Sequence, residues 1–413
     1  MSPPGRPKGE YRSAQHEGSP VTECLMADVA IVGGGIVGAS AALHLRHAGL
    51  GVVLLERDLC GSHSSGVNFG GVRRQGRALA LLPLAQRSHQ LWGELRQTIG
   101  SDGEYLRSGH LKIARSEADM ASLEAYREKT LDFDLGLQLL TRTALRERFA
   151  WLGDAAVGGS VCPQDGHANP RLVSPAIARA AQALGADVRE RTAVTAYSHD
   201  GQRFVLGTDS GVEVRSSHLL NCAGAWSGHL AAHFGEQVPL TGEHPAMLVT
   251  EPLPRFMNLS LGVEGGGIYG RQAPRGNCVI GGGRGFALDA LRARNSQLSL
   301  TTAMRQALQL MPALRHAQVI RSWSGTEGYL PDHLPVVGPS ATTPGLWHAF
   351  GFNGEGFQTG LGVGAVLAEL VRDGRSSTAI EALSIARFQT ALNPGVRIAL
   401  QATIEARDLH VHP

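Results

Sequence analysis

Residues 28–58 read "DVAIVGGGIVGASAALHLRHAGLGVVLLERD". Ala30 to Val32 continue an apolar run suited to a buried strand, and Gly33, Gly35 and Gly38 follow it as G-x-G-x-x-G. Small and apolar residues then run from Ile36 and Val37 to His47 as a helix, and "GVVLLE" reads as a second buried strand that ends at Glu56. Each glycine meets a separate demand. Gly33 permits a tight turn, Gly35 lets backbone approach a pyrophosphate, and Gly38 lets helix and strand pack closely. The helix start favours phosphate charge by a few tenths to about 1 kcal/mol. Glu56, followed by Arg57, stands where a carboxylate accepts hydrogen bonds from ribose hydroxyls. The order strand, turn, helix, strand, acid therefore reads as a dinucleotide-binding unit, with NAD and FAD both open at this point.

Outward from that unit the chain looks like an ordinary globular protein. Its 413 residues are 43% hydrophobic and 18% charged, enough for a large core and more than one domain. A net charge of +2 makes no electrostatic case for nucleic acid. Five separated cysteines, none in C-x-x-C, imply neither a disulfide framework nor a zinc site, and no metal is expected. Reduced thiols fit a cytoplasmic protein. Residues 1–26 hold Pro, Gly and charge but neither signal peptide nor membrane span, so they read as a disordered leader, with Met26 as an alternative start just before the first strand.

Glycine is the unusual component, with 53 residues. "CGSHSSGVNFGGVRRQGR" (60–77) keeps backbone near a ligand, "LPLAQRSHQLWGELRQTIG" reads as an amphipathic helix, and "NPRLVSPAIARAAQALGADVRE" as a helix opened by Pro170 and followed by a strand. "SHLLNCAGAW" (217–226) is a buried strand ending at small residues, and "GGGIYGRQAPRGNCVIGGG" (265–283) is a hairpin. A second glycine-rich helix start, "GFNGEGFQTGLGVG", appears only at residues 351–364.

In that order, "IVGGGIVGAS…LLER", "SSGVNFGGVRRQ", "LLNCAGAWS" and "GFNGEGFQTG" resemble the glycine oxidase, sarcosine oxidase and D-amino-acid oxidase/dehydrogenase family of FAD proteins, from Asp28 to about Gly374. The resemblance implies that the early glycine turn holds the FAD pyrophosphate and the late one lies against the flavin. Gly354, Glu355, Gly356, Phe357 and Gln358 then form a loop whose N–H groups face the flavin edge where negative charge grows, a preorganised stabilisation of developing charge. Ser64 and Ser65, with Gly70 and Gly71 in the same loop, match residues along the pyrophosphate and ribityl chain. Val194 matches a residue at the adenine, and Ala223 and Gly224 a turn near the adenosine.

The family oxidises a C–N bond next to a carboxylate, and a carboxylate calls for an arginine fork. Arg73 and Arg74 lie where the carboxylate arginine of sarcosine oxidases does, Tyr269 resembles a carboxylate-binding tyrosine of glycine oxidases, and Arg271 shares its strand face. Gln358 stands in place of a carboxylate-binding lysine, and Glu355 in place of a histidine. Glu355 either points away or meets a cationic substrate group, and Glu327 raises the same choice. Trp323 replaces the glycine oxidase carboxylate arginine. Gly325 replaces the cysteine that tethers flavin in monomeric sarcosine oxidases, so non-covalent FAD is expected. The only lysines are Lys8, Lys112 and Lys129, none in the later segments, which favours a dehydrogenase over an oxidase that passes electrons to O2. No general base is assigned.

The expected fold is α/β (α+β). A Rossmann-like FAD-binding domain (27–85, 161–235 and 321–375) interleaves with a mixed or antiparallel-sheet substrate domain (86–160 and 236–320), and a helical tail covers 376–413. The expected activity is FAD-dependent oxidation of a small amino acid or secondary amine bearing a carboxylate, in a homo- or hetero-oligomer. The alternatives are a hydroxy-acid or polyol-phosphate dehydrogenase and an electron-relay subunit of a larger complex.

Overall fold

The computed structural model describes residues 22–389. Two eight-stranded sheets organise them. In the first, Glu23–Val32 is central. It pairs in parallel with Val52–Leu55 on one side and with Val212–Asn221 on the other, so strands nearly two hundred residues apart in sequence are neighbours. Asp187–Arg189 and Leu346–Phe350 extend the parallel set outward, and Val336–Pro339 closes one edge antiparallel. These strands are nearly continuous apolar runs because helices cover a face. Ile36–His47, Pro170–Ala183, Gly356–Asp373 and Leu82–Gly93 share one core with them, including Ile31, Leu54, Trp92 and Val366.

The second sheet runs Val319–Ser324, Pro245–Pro252, Asn277–Arg284, Tyr269–Gln272, Ser260–Val263, His110–Ala114, Gly158–Cys162, Gln138–Thr141. It is antiparallel apart from the Ser260–Val263 pairing with His110–Ala114. Helix Gln297–Leu310 packs on it through Ala303, Ala307 and Leu310. A short two-stranded ribbon, Thr241–Glu243 with Glu327–Tyr329, lies outside both sheets.

Several expected boundaries fall elsewhere. The leader is expected to reach residue 26, but Glu23–Ala27 already pair with Val212–Ser216, so Met26 lies within the first strand rather than before it. The polar–apolar alternation of "ECLMA" hides a strand whose two faces differ. Residues 1–21, and the tail beyond 389, lie outside the described residues; of the tail, Glu381–Leu383 and Ala386–Gln389 are helical. The boundary at 321 cuts a strand of the second sheet, and that at 85 cuts a helix packed on the first-sheet side.

The first and last long helices cross without room for side chains. A Cβ on Gly360 would lie 2.7 Å from Ile36 Cγ2, and one on Gly364 would lie 2.3 Å from Ser40 Oγ. Ser40 Oγ donates to the Leu361 carbonyl across this contact at 3.1 Å. The crossing brings the N-terminus of Ile36–His47 and that of Gly356–Asp373 to the same side of the first sheet's core.

Two buried histidines give the fold a pH dependence. Burial holds His167 down to about 3, with Arg271 and Arg255 adding to the effect. Burial also holds His110 well below its usual range, helped by Arg73 and Lys112. Both are neutral when folded and gain a proton near their ordinary value when unfolded. The unfolded chain therefore binds more protons below about pH 6.5, and stability is lost as pH falls from there. The melting temperature is expected to decline steadily from about pH 6.5 to about pH 4; a flat profile would contradict burial of these rings.

Candidate active site

A cleft of about 340 Å³ opens where the first strand meets its helix. Gly33 makes the turn at φ +107°, and its bare Cα faces backbone: a Cβ there would sit 2.3 Å from the Cys222 carbonyl oxygen. Gly38 does not reach the cleft; its Cβ would lie 2.0 Å from the Gly33 carbonyl oxygen, so it serves the turn from behind. Glu56 is buried and receives the Gly34 N–H at Oε2 (2.7 Å) and the Asp58 N–H at Oε1 (2.9 Å), which leaves further lone pairs directed to the cleft. The helix that starts at Ile36 has no side-chain cap. Ser65 Oγ instead accepts the Ile36 N–H, and Ser64 Oγ donates to the Thr326 carbonyl.

The cleft runs past Arg57, whose guanidinium stacks 3.7 Å from the Trp226 ring, to Val194 and Tyr197. Ala223 and Gly224 line its side, and Asn353, Gly354, Gly356 and Phe357 close its other end. There the helix Gly356–Asp373 also begins without a side-chain cap. Two uncapped helix starts thus face one elongated cavity, a donor set suited to a ligand with anionic character at two places.

A second cavity of about 240 Å³ adjoins it, and Asn68, Glu327, Asn353 and Gly354 line both. The second cavity is bounded by the loop at Phe69–Arg77, the second sheet and the ribbon strand Glu327–Tyr329. Arg73, Arg77 and Lys112 supply cations, while Tyr269, Tyr329 and Glu327 stand among the remaining walls. Arg77 is paired with Glu355 at 2.8 Å, and Lys112 with Glu264. Arg73 donates to the Gln75 carbonyl and makes no ion pair among the described residues. Burial and the neighbouring Arg77 lower it to about 10, which still leaves it charged near neutrality.

Several sequence-derived candidates lie away from these cavities. Arg74 turns inward, with Nε 3.2 Å from Asp165 Oδ1 and Nη1 donating to Gln86. Arg271 is buried against the Phe69 carbonyl, outside the cavity that Tyr269 lines. Gln358 packs on the helix Leu82–Gly93, donating to the Ala85 carbonyl at 3.0 Å, because the helical turn aims it opposite to the cleft. Glu355 points away from the cleft to Arg77. Gly70 meets Ala168, whereas Gly71 lines the second cavity. Trp323 donates to the Val67 carbonyl and reaches neither cavity.

Sequence reasoning passes over Arg77, Phe69, Tyr329 and above all Lys112. Lys112 sits on the strand His110–Ala114, which pairs with Ser260–Val263, so a lysine outside the later segments does line the cavity. The ground on which lysine placement favours a dehydrogenase therefore falls away. The alternation of "HLKIA", which puts His110 and Lys112 on one strand face, is the available signal.

The profile of the DAO family, FAD dependent oxidoreductase, matches residues 28–370. The chain belongs to that family, whose cofactor is FAD. One component of the opine oxidase of Rhizobium meliloti is 30% identical over 335 residues, covering 78% of this chain and 87% of that protein. Glycine oxidase of Geobacillus kaustophilus is 29% identical over 367 residues, covering 86% and 94%. Its crystal structure superposes with a TM-score of 0.82 over 88% of this chain and 99% of that one. The 4-methylaminobutanoate oxidase (formaldehyde-forming) of Paenarthrobacter nicotinovorans is 28% identical over 87% of this chain, which spans only 45% of that protein. No helix among the described residues is long and apolar enough to cross a membrane.

Proposed function

We propose that this chain oxidises the C–N bond of a small amino acid or secondary amine that bears a carboxylate. The observation that carries the reading is the shared wall between the two cavities. The late glycine loop closes the cofactor cleft with Asn353 and Gly354. Those residues also face a chamber whose Arg73 lacks an anionic partner among the described residues. A cation withdrawn from water without a counter-charge asks for an anion from the ligand.

The cleft fits FAD in its donor set and in the bare backbone at Gly33 and Gly35. Gly33, Gly35, Ile36 and Val37, with Ser64 and Ser65, would hold the diphosphate portion, and Glu56 the ribose. Arg57, Val194, Ala223 and Gly224 would flank the adenosine end. Gly354, Gly356 and Phe357 would offer the helix N-terminus to the ring. When bound, FAD supplies the two-electron acceptor for the amine carbon. The chain's own residues orient the substrate and keep water from it.

The test is anaerobic addition of D-amino acids, N-methyl amino acids, cyclic imino acids and opines to the purified, flavin-loaded protein. Bleaching of the yellow flavin absorbance by an amine, with ammonia or amine released, is the expected result. Bleaching by hydroxy acids alone would favour the alcohol-oxidising alternative. A second reading, a component that works inside a larger complex, draws support from the similarity to the opine oxidase of Rhizobium meliloti, which is built from more than one kind of chain.

FAD is expected to be held without a covalent bond. Gly325 has no side chain, and the thiol that lines the cleft, Cys222, is pushed up to about 12 by burial and so stays protonated and unreactive. Acid precipitation should leave all flavin in the supernatant; yellow colour in the pellet would refute this.

A further inference from the structure

The second cavity has two poles. Arg73, Arg77 and Lys112 supply its cations, and Glu327 is the one carboxylate among its described lining residues. Glu327 lies at the junction with the cofactor cleft, and its Oε2 is fully buried with no hydrogen-bond partner among the described residues. A bare Cα stands next to it: a Cβ on Gly354, in the late glycine loop, would be 3.6 Å from that oxygen. A buried carboxylate oxygen without a donor is costly unless a ligand supplies one.

We propose that Glu327 receives the amine nitrogen of the substrate and takes its proton, the substrate being a zwitterion whose carboxylate lies at Arg73. This inference rests on the amine reading above and assigns that reading its base. The step is a proton transfer alone. An ammonium N–H bond breaks, its electron pair stays on nitrogen, and an O–H bond forms on Glu327. Nitrogen is left with the lone pair that the departure of hydride from the neighbouring carbon requires.

The surroundings point to Glu327 rather than to its neighbours. Tyr329, on the same strand, and Tyr269, across the cavity, are both pushed up by burial, with the Glu327 carboxylate adding to it, so they remain protonated donors. His110 belongs to the cationic pole and has its Nδ1 against Ser260 Oγ at 3.0 Å. Glu355 is engaged by Arg77, and Glu243, opposite Glu327 on the ribbon, is engaged by Arg284. His244 meets Thr326 at 3.2 Å. Burial raises the Glu327 carboxyl to about 7, and the nearby Tyr329 hydroxyl offsets part of that rise. The group is therefore a base above about pH 7 and an acid below it.

The test is the pH dependence of kcat/KM for whichever amine bleaches the wild-type flavin, in wild type and Glu327→Gln, with flavin content and melting temperature measured on both. An aliphatic amine titrates near about 10. Wild type should rise about tenfold per unit up to about pH 7 and then stay level to about pH 9. Glu327→Gln must wait for free amine, so it should keep rising about tenfold per unit through that range. Its deficit should be about a hundredfold at about pH 8 and shrink toward parity near about pH 10. A merely structural glutamate would not tilt the plateau in this way. A wild-type profile with no break near neutrality, or a Glu327→Gln profile parallel to wild type, overturns the inference while leaving the amine reading intact. The wild-type arm decides the matter even if the variant does not fold. If no amine bleaches wild type, both fall together.

Discussion

Gly364→Val is expected to lower stability by roughly 4 kcal/mol and to weaken FAD retention at least about tenfold. Helix propensity works the other way, since replacing a helical glycine by a better helix former gains up to about 1 kcal/mol. Packing wins because the space is absent. The first added atom would already stand 2.3 Å from Ser40 Oγ and 2.5 Å from the Ser40 carbonyl carbon, and backbone cannot step aside as a flexible side chain can. The helices must then separate, and the Ser40–Leu361 hydrogen bond goes with them. Ile36 and Phe357, at the starts of the two helices, both line the cleft, so separation spreads the walls that would hold the cofactor. Thermal melting and the flavin-to-protein ratio after gel filtration check this together. A variant that stays yellow and melts like wild type would show that the helices do not make this contact.

Arg73→Met should reduce kcat/KM by a factor of about 10² to 10⁴, from the loss of one or two charge-assisted hydrogen bonds at about 1.5–3 kcal/mol each. The protein itself should remain folded and yellow, because Arg73 is held by a single bond to the Gln75 carbonyl and its removal relieves Arg77 of a like-charged neighbour. Arg74→Met gives the opposite pattern. It strands Asp165, fully buried, without its ion-pair partner, which costs about 3–5 kcal/mol of stability. Steady-state kinetics and melting curves of the two variants, side by side, separate the roles. An Arg73→Met enzyme with unchanged KM would remove Arg73 from substrate binding.

That adjacent pair shows where sequence reading stops. "GGVRRQ" marks a place where an arginine fits, but neighbouring residues on extended chain point to opposite sides, and the choice between them depends on Asp165, 91 residues away. The early fingerprint is legible because all its requirements are local: a strand, a turn with positive φ, a helix start and an acid 23 residues after Gly33. Gln358 is misplaced for a related reason. The motif "GEGFQTG" announces a helix start, yet only the phase of the helix decides that Phe357 faces the cleft and Gln358 faces Ala85. Lys112 is discounted when position along the chain is taken for position in space. The parallel pairing of its strand with Ser260–Val263 is set by contacts no local pattern records.

The parallel arrangement of the first sheet has a consequence for how the protein is made. Its central strand finds one partner in Val212–Asn221, and that strand finds its own outer neighbour in Leu346–Phe350. During synthesis, a nascent chain that has emerged only as far as residue 320 carries the diphosphate turn but neither that outer strand nor the loop at 353–357. Non-local parallel pairing is slow because long loops must close first. The ribosome therefore extrudes most of the polypeptide before a flavin can be gripped at both ends, and the apolar strands wait exposed until then.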